Sequence, residues 1–186
     1  AVSSAISVVA AFTAPGLQAA NLSRHPIQVV DARDKTVVFD GPVKRIVSLQ
    51  PSFTEAICAL GACERLVGVD RFSSWPVTVT DLPKVGSLRD PDIEKILALK
   101  PDVVLVRPNH RLDEKLEKLG IKVLTLNAQT HGDVARELEV LSTLLGKPGQ
   151  GTSLWQQTTQ GLERYRQAMP REWIGKKVYF ELHSGM

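Results

Sequence analysis

The apolar positions of this chain fall into short alternating blocks of two kinds. Ile46, Val47 and Leu49 form a compact run, as do Leu66, Val67 and Val69, then Val103 to Val106, then Val123, Leu124 and Leu126. Runs of this length and β-branched content are the mark of strands buried on both faces. Between them the apolar residues recur at intervals of three and four: Ala56, Ile57 and Leu60; Ile93, Ile96 and Leu97; Leu112, Leu116 and Leu119; Val134, Leu138, Leu141 and Leu145. That is the helical period. Alternation of the two predicts an α/β fold, a Rossmann-like lobe whose parallel sheet is flanked by helices. Ahead of it, Ile27 to Asp40 reads as a hairpin about Asp31–Lys35, ended by Gly41-Pro42. After it, one long helical pattern runs from Gln150 to Ala168, with Leu154, Trp155, Thr158, Leu162 and Tyr165 on one side. Lys176 to Leu182 then has the character of a fresh strand, which needs neighbours to bond. The chain therefore reads as stopping within a second, truncated domain.

The stretch Arg45 to Gly61 organises the rest. Pro51 ends the first strand, and Ser52-Phe-Thr-Glu55 has the spacing of a capping box, with Ser52 as the cap. Gly61 supplies the left-handed stop. A strand that feeds a helix through so tight a turn leaves amides at its carboxyl end, where open α/β sheets place ligands. Asp90 reads as a second cap, with Pro91 at the first helical position. Arg71 to Pro83 is a long polar and aromatic loop, a length that usually carries function or mobility.

Composition narrows the classes. Of 186 residues, 43% are hydrophobic and 23% charged, with a net charge of +3 spread along the chain, which argues against nucleic acid as a partner. Residues 1–20 carry no charge and end in Leu17-Gln-Ala-Ala20, like the apolar core and cleavage end of a secretory signal. A buried helix or an unstructured tail is the other reading. Export would place Cys58 and Cys63 in an oxidising compartment, either bridged across the helix end or as two unpaired thiols. Two cysteines make a poor metal site, and His25, His110, His131 and His183 are dispersed, one to a segment. No metal centre and no resident cofactor is expected.

Arg45-Ile-Val-Ser-Leu, Pro51-Ser-Phe-Thr-Glu55, Ala59-Leu-Gly61, Leu66-Val-Gly-Val69, Leu82-Pro-Lys-Val-Gly86 and Ile93-Glu-Lys-Ile-Leu-Ala-Leu-Lys-Pro-Asp102 together resemble the periplasmic substrate-binding proteins of ABC importers for cobalamin and iron-siderophores, the helical-backbone family. The resemblance runs from Val37 to Leu182 in the family's order and spacing. It implies an N-terminal lobe over residues 21–149, a backbone helix over 150–169, and the start of a truncated C-terminal lobe over 170–186. It implies a monomeric receptor that delivers a corrinoid or ferric-siderophore chelate to a membrane permease driven by an ATPase. The family's ligand-facing loops fall here at Gln50, Pro51, Ser52 and Phe53; at Phe72 and Trp75; at Ser87, Leu88 and Arg89; and at Arg107 to Asn109. Phe72 and Trp75 offer flat faces to a corrin or planar chelate, with anchoring of their own loop as the alternative. Arg107 suits an anionic ligand or is a plain surface charge. Asn109 closes the set. Glu94 matches the acid that docks on permease arginines in the cobalamin-binding member, and otherwise stabilises a helix start. The haem branch places a ligating Tyr where Ser87 stands, which disfavours haem while leaving it the alternative ligand. With one cleft wall alone, weak binding is expected.

An enzyme is the rival class. Ser52 follows a strand and opens a helix, as a hydrolase nucleophile does, but Pro51 and Phe53 replace the required glycines. Neither a dinucleotide fingerprint nor a phosphate loop follows any strand. A structural or signalling domain that keeps the fold without transport is a third reading.

Overall fold

The computed structural model describes residues 26–177. The signal-like segment lies outside these residues, as does most of the strand expected over 176–182. The described chain opens with the expected hairpin, β1 (Ile27–Val30) paired antiparallel with β2 (Thr36–Phe39). Next come β3 (Ile46–Ser48), α1 (Pro51–Ala59), β4 (Leu66–Val69), α2 (Ile93–Ala98), β5 (Val103–Val106), α3 (His110–Lys118), β6 (Val123–Thr125), α4 (His131–Leu144) and α5 (Gln150–Ala168). Strands β3 to β6 form one parallel sheet in the order β4-β3-β5-β6.

Two cores follow from the two-residue period of the strands. Ile46, Val103, Leu105 and Leu124 face α1, α4 and the hairpin, packing on Phe53, Ile57, Leu60, Leu141 and Leu144. Val47, Leu49, Val104, Val106 and Val123 face the other way, onto Ile96 of α2 and Leu112 and Leu116 of α3. Both edges of the sheet are covered. The hairpin turn bonds the free edge of β6, with the Ala32 amide on Thr125 O at 2.8 Å and an Arg33 Nη2 contact to Val123 O at 3.4 Å. The segment Pro83–Gly86 runs beside β4, taking the Val69 amide at 3.0 Å and giving its Val85 amide to Val69 O at 3.0 Å. Neither edge strand is left open to pair with another chain.

The helix starts differ from the sequence reading. Gln50, not Ser52, is the N-cap of α1; its backbone is extended, and no side chain caps the turn. Pro51, with its preset φ and no amide to leave unpaired, suits the first helical turn and draws the start of the helix ahead of Ser52. Ser52 is therefore exposed inside the helix and forms no box with Glu55. Asp92 rather than Asp90 caps α2, accepting the Lys95 amide at 2.9 Å. Pro91 is held outside that helix by a bridge to Gly86. Gly61 does end α1: at φ 64° it passes the Ala62 amide back to Ile57 O at 3.1 Å, and the Cys58–Cys63 disulfide spans the same turn.

Helix α5 occupies the residues read as helical, but only its start packs. Glu139 of α4 accepts the Gly149 amide at 2.7 Å and the Thr152 amide at 3.0 Å, capping α5 from a neighbour. Gly151 is buried where a Cβ would collide with the Leu138 and Glu139 backbone. Leu154 reaches the core, whereas Leu162 and Tyr165, expected on the same packed side, are exposed. Leu97 and Leu119, read as apolar stripe residues, are likewise on the surface. Among the described residues, no helix is long and apolar enough to cross a membrane.

Candidate ligand-binding edge

Strands β3 and β5 are neighbours, yet β3 leads into α1 on one face and β5 into α3 on the other. Their carboxyl ends therefore part, and this is the switch point at which α/β sheets form a crevice. A depression of about 530 Å³ lies at this edge, lined by Leu49, Gln50, Pro51, Asp70, Arg71, Phe72, Ser87, Leu88 and Arg89. Three loops from distant parts of the sequence meet there.

A buried polar chain joins two of these loops. Asp70, at the end of β4, is 1% exposed. Its Oδ1 accepts the Phe72 amide at 2.8 Å, and its Oδ2 accepts the Ser73 hydroxyl. Ser73 Oγ lies 2.9 Å from Thr54 Oγ1 of α1, which in turn bonds Ser48 Oγ of β3 at 2.9 Å. Lys84 Nζ donates to Ser73 O at 2.7 Å, and Val79 anchors the far side of the loop in the core. The loop backbone is thus tied down, while Phe72 and Trp75 stand 66% and 67% exposed. They do not serve as the anchors of their own loop.

The structure gathers Gln50, Pro51, Phe72, Ser87, Leu88 and Arg89 of the expected loops into this depression, and adds Leu49, Asp70 and Arg71. The other candidates fall elsewhere. Phe53 is 2% exposed and belongs to the core, because its place on the first turn of α1 faces the sheet; its side chain is not a ligand contact. Ser52 and Trp75 are exposed beside the depression rather than lining it. Arg107 points along the edge towards β6, donating to Asn127 Oδ1 at 3.0 Å. Asn109 caps α3, accepting the Leu112 amide at 3.3 Å, and its Nδ2 donates to Leu88 O at 3.2 Å. It therefore shapes the 87–89 loop. Glu94 is exposed on the first turn of α2, with no ion pair among the described residues. Arg71 carried no sequence signal beyond its place after a buried strand; only the folded loops show that it faces Ser87.

A second depression, about 480 Å³, lies between the hairpin and α4, lined in part by Asp31, Asp34, Asp133 and Glu137. Burial pushes the Glu137 carboxyl above its usual range. It lies to one side of the three loops that meet at the switch point, and no cluster of metal-ligating side chains occurs among the described residues. A neighbouring ionic cluster holds the hairpin: Arg33 contacts Asp31 at 2.6 Å, Glu117 at 3.0 Å and Asp113 at 3.6 Å. Burial raises the pKa of Asp113.

A parallel α/β lobe with its open loops at the switch point defines the class of ligand-binding α/β domains. The family model for periplasmic binding proteins matches residues 46–185, and the chain belongs to that family. Among curated relatives, an uncharacterised ABC transporter substrate-binding lipoprotein of Bacillus subtilis is 35% identical over 122 residues, covering 62% of this chain and 38% of the relative. A vitamin B12-binding protein of Vibrio campbellii is 36% identical over 115 residues, covering 60% and 42%. Among solved structures, the periplasmic vitamin B12-binding protein of Vibrio cholerae superposes with a TM-score of 0.60 at 32% identity, covering 68% of this chain and 51% of that one. A periplasmic haem-binding protein of Pseudomonas aeruginosa gives 0.64 at 32% identity, covering 67% and 46%. The chain thus spans about two-fifths to a half of the length of these relatives.

Proposed function

We propose that this chain forms one wall of the ligand cleft of an exported, non-catalytic solute receptor, which delivers a corrinoid or ferric-siderophore chelate to an ABC importer. The observation that carries the reading is the pair Phe72 and Trp75, exposed on a loop whose backbone is pinned through Asp70, Ser73 and Lys84. Exposed rings on a rigid support suit a flat ligand face, since little side-chain freedom is lost on contact. The B12-binding relatives support the corrinoid form. Glu94, free on an exposed helix start, serves as the permease contact, and α5 serves as the backbone between lobes. Titration with cyanocobalamin and with ferric siderophores, followed by Trp fluorescence, tests the assignment. The expected result is a saturable change for one class that Trp75→Ala removes. Silence towards both classes would sink it.

Haem is the second reading, favoured by the structural likeness to the Pseudomonas haem-binding protein. Ser87 stands where the resemblance places a ligating Tyr, and its hydroxyl accepts from Arg71 at 3.0 Å. Haem would therefore need an axial ligand other than residue 87.

A further inference from the structure

We infer that Arg71 makes this cleft edge selective for chelates whose rim carries carboxylates over those whose rim carries amides. The inference rests on the receptor reading above and names the ligand chemistry at the same site.

Three observations converge on it. The depression lined by Arg71 has an apolar side, with Leu49, Pro51, Phe72 and Leu88, and its accessible charges are both guanidinium groups, those of Arg71 and Arg89. Asp70 lines it too, but its carboxylate is buried and its two oxygens are occupied by the Phe72 amide and the Ser73 hydroxyl. Asp90 lies 3.8 Å from Arg71 with its side chain 87% exposed, a solvated pair that a ligand carboxylate can displace at little cost.

Arg71 is also pre-oriented. Its Nη2 donates to Ser87 Oγ at 3.0 Å, and its guanidinium lies 5.5 Å from the Phe72 ring centroid. Its Nη1 and Nε groups make no hydrogen bond among the described residues, so part of the planar donor fork remains for a carboxylate. The N-terminus of α1 opens on the same depression through Gln50 and Pro51, and its partial positive charge has the same sign. An amide rim would meet these donors with one neutral oxygen per group. A carboxylate rim meets them with two charged ones.

Matched ligands isolate this effect. Dicyanocobyrinic acid and dicyanocobinamide share a corrin ring and differ at the rim, acid against amide. Gallium(III) rhizoferrin and gallium(III) ferrichrome provide a carboxylate and a neutral siderophore. Each is titrated into the ¹⁵N-labelled chain, and affinities are read from the amide shifts of Phe72, Trp75 and Leu88. The acid member should bind roughly three- to fivefold tighter than its partner, as expected for a half-exposed charge pair, and the ratio should shrink at high salt. Arg71→Gln should bring the ratio to about one with an unchanged unfolding midpoint, and Arg71→Lys should keep part of it. Equal binding of both members by the wild-type chain, or a ratio that survives Arg71→Gln, overturns the inference and leaves the receptor reading standing. No perturbation by any of the four ligands removes the corrinoid and siderophore reading and the inference with it.

Discussion

Replacing Asp70 by Ala tests whether the buried polar chain is what stiffens the ligand edge. The substitution removes the acceptor of the Phe72 amide, 2.8 Å away, and of the buried Ser73 hydroxyl. Phe72 is exposed, so water replaces most of the first bond and the loss there is about 0.5–1 kcal/mol. Ser73 is 2% exposed, and a hydroxyl stranded at that depth costs about 1–3 kcal/mol. Two effects offset this cost: Ser73 can turn its proton towards Thr54 Oγ1 at 2.9 Å, and removing Asp70 also removes the cost of burying a carboxylate. The net expectation is a loss of about 1–3 kcal/mol. Urea unfolding followed by circular dichroism measures it. Asp70→Asn, which keeps an acceptor for the Phe72 amide, should lose about half as much. Acrylamide quenching of Trp75, in a background where Trp155 and Trp173 are Phe, should rise in Asp70→Ala as the loop loosens. A change under about 0.5 kcal/mol with unaltered quenching would refute the reasoning, because surface substitutions fall in that range.

Three further outcomes are expected. Gly151→Ala drives a methyl group into the Leu138–Glu139 backbone and should cost about 1–3 kcal/mol, seen as a lower urea midpoint. The Gly149 amide, then the Thr152 amide and hydroxyl, hold the Glu139 carboxyl below its usual range despite opposing burial. Its stabilisation is complete above the unfolded value of about 4.3 and is lost as pH falls through the lower folded value, so Glu139→Gln should flatten stability between roughly pH 5 and 3. Asp113, raised by burial, contributes with the opposite sign in both proteins and cancels in the difference. Glu94→Ala should leave ligand titrations unchanged and weaken binding to permease-containing vesicles; undiminished capture by those vesicles removes Glu94 from the docking role.

Residue period and punctuation were enough to read the strands, the helices and their alternation. Val103 to Val106 can only be a strand buried on both faces, and Gly61 and Gly120 stop helices because each must turn left-handed, at φ 64° and 80°. The ordered motifs from Arg45 to Asp102 likewise carried the family, since each strand end and helix start has its own local chemistry. Caps were less legible. Ser52 and Asp90 have the right composition for caps, but Pro51 and the Gly86–Pro91 bridge decide where each helix begins. Phe53 looked like a ligand contact because it sits in the right loop; which way a helical side chain faces depends on the register of the helix against the sheet.

Sequence alone determined the α/β lobe, its loops and the aromatic pair on one of them, because these depend on neighbours a few positions apart. Only the tertiary structure decided which loop residues share a surface. Arg71 meets Ser87 across sixteen positions, and Ser73 meets Thr54 across nineteen. Those contacts exist because parallel strands β3 and β4, with the Pro83–Gly86 segment beside β4, bring their carboxyl ends to one edge. No local pattern encodes that juxtaposition, since it is a property of strand order rather than of any single segment.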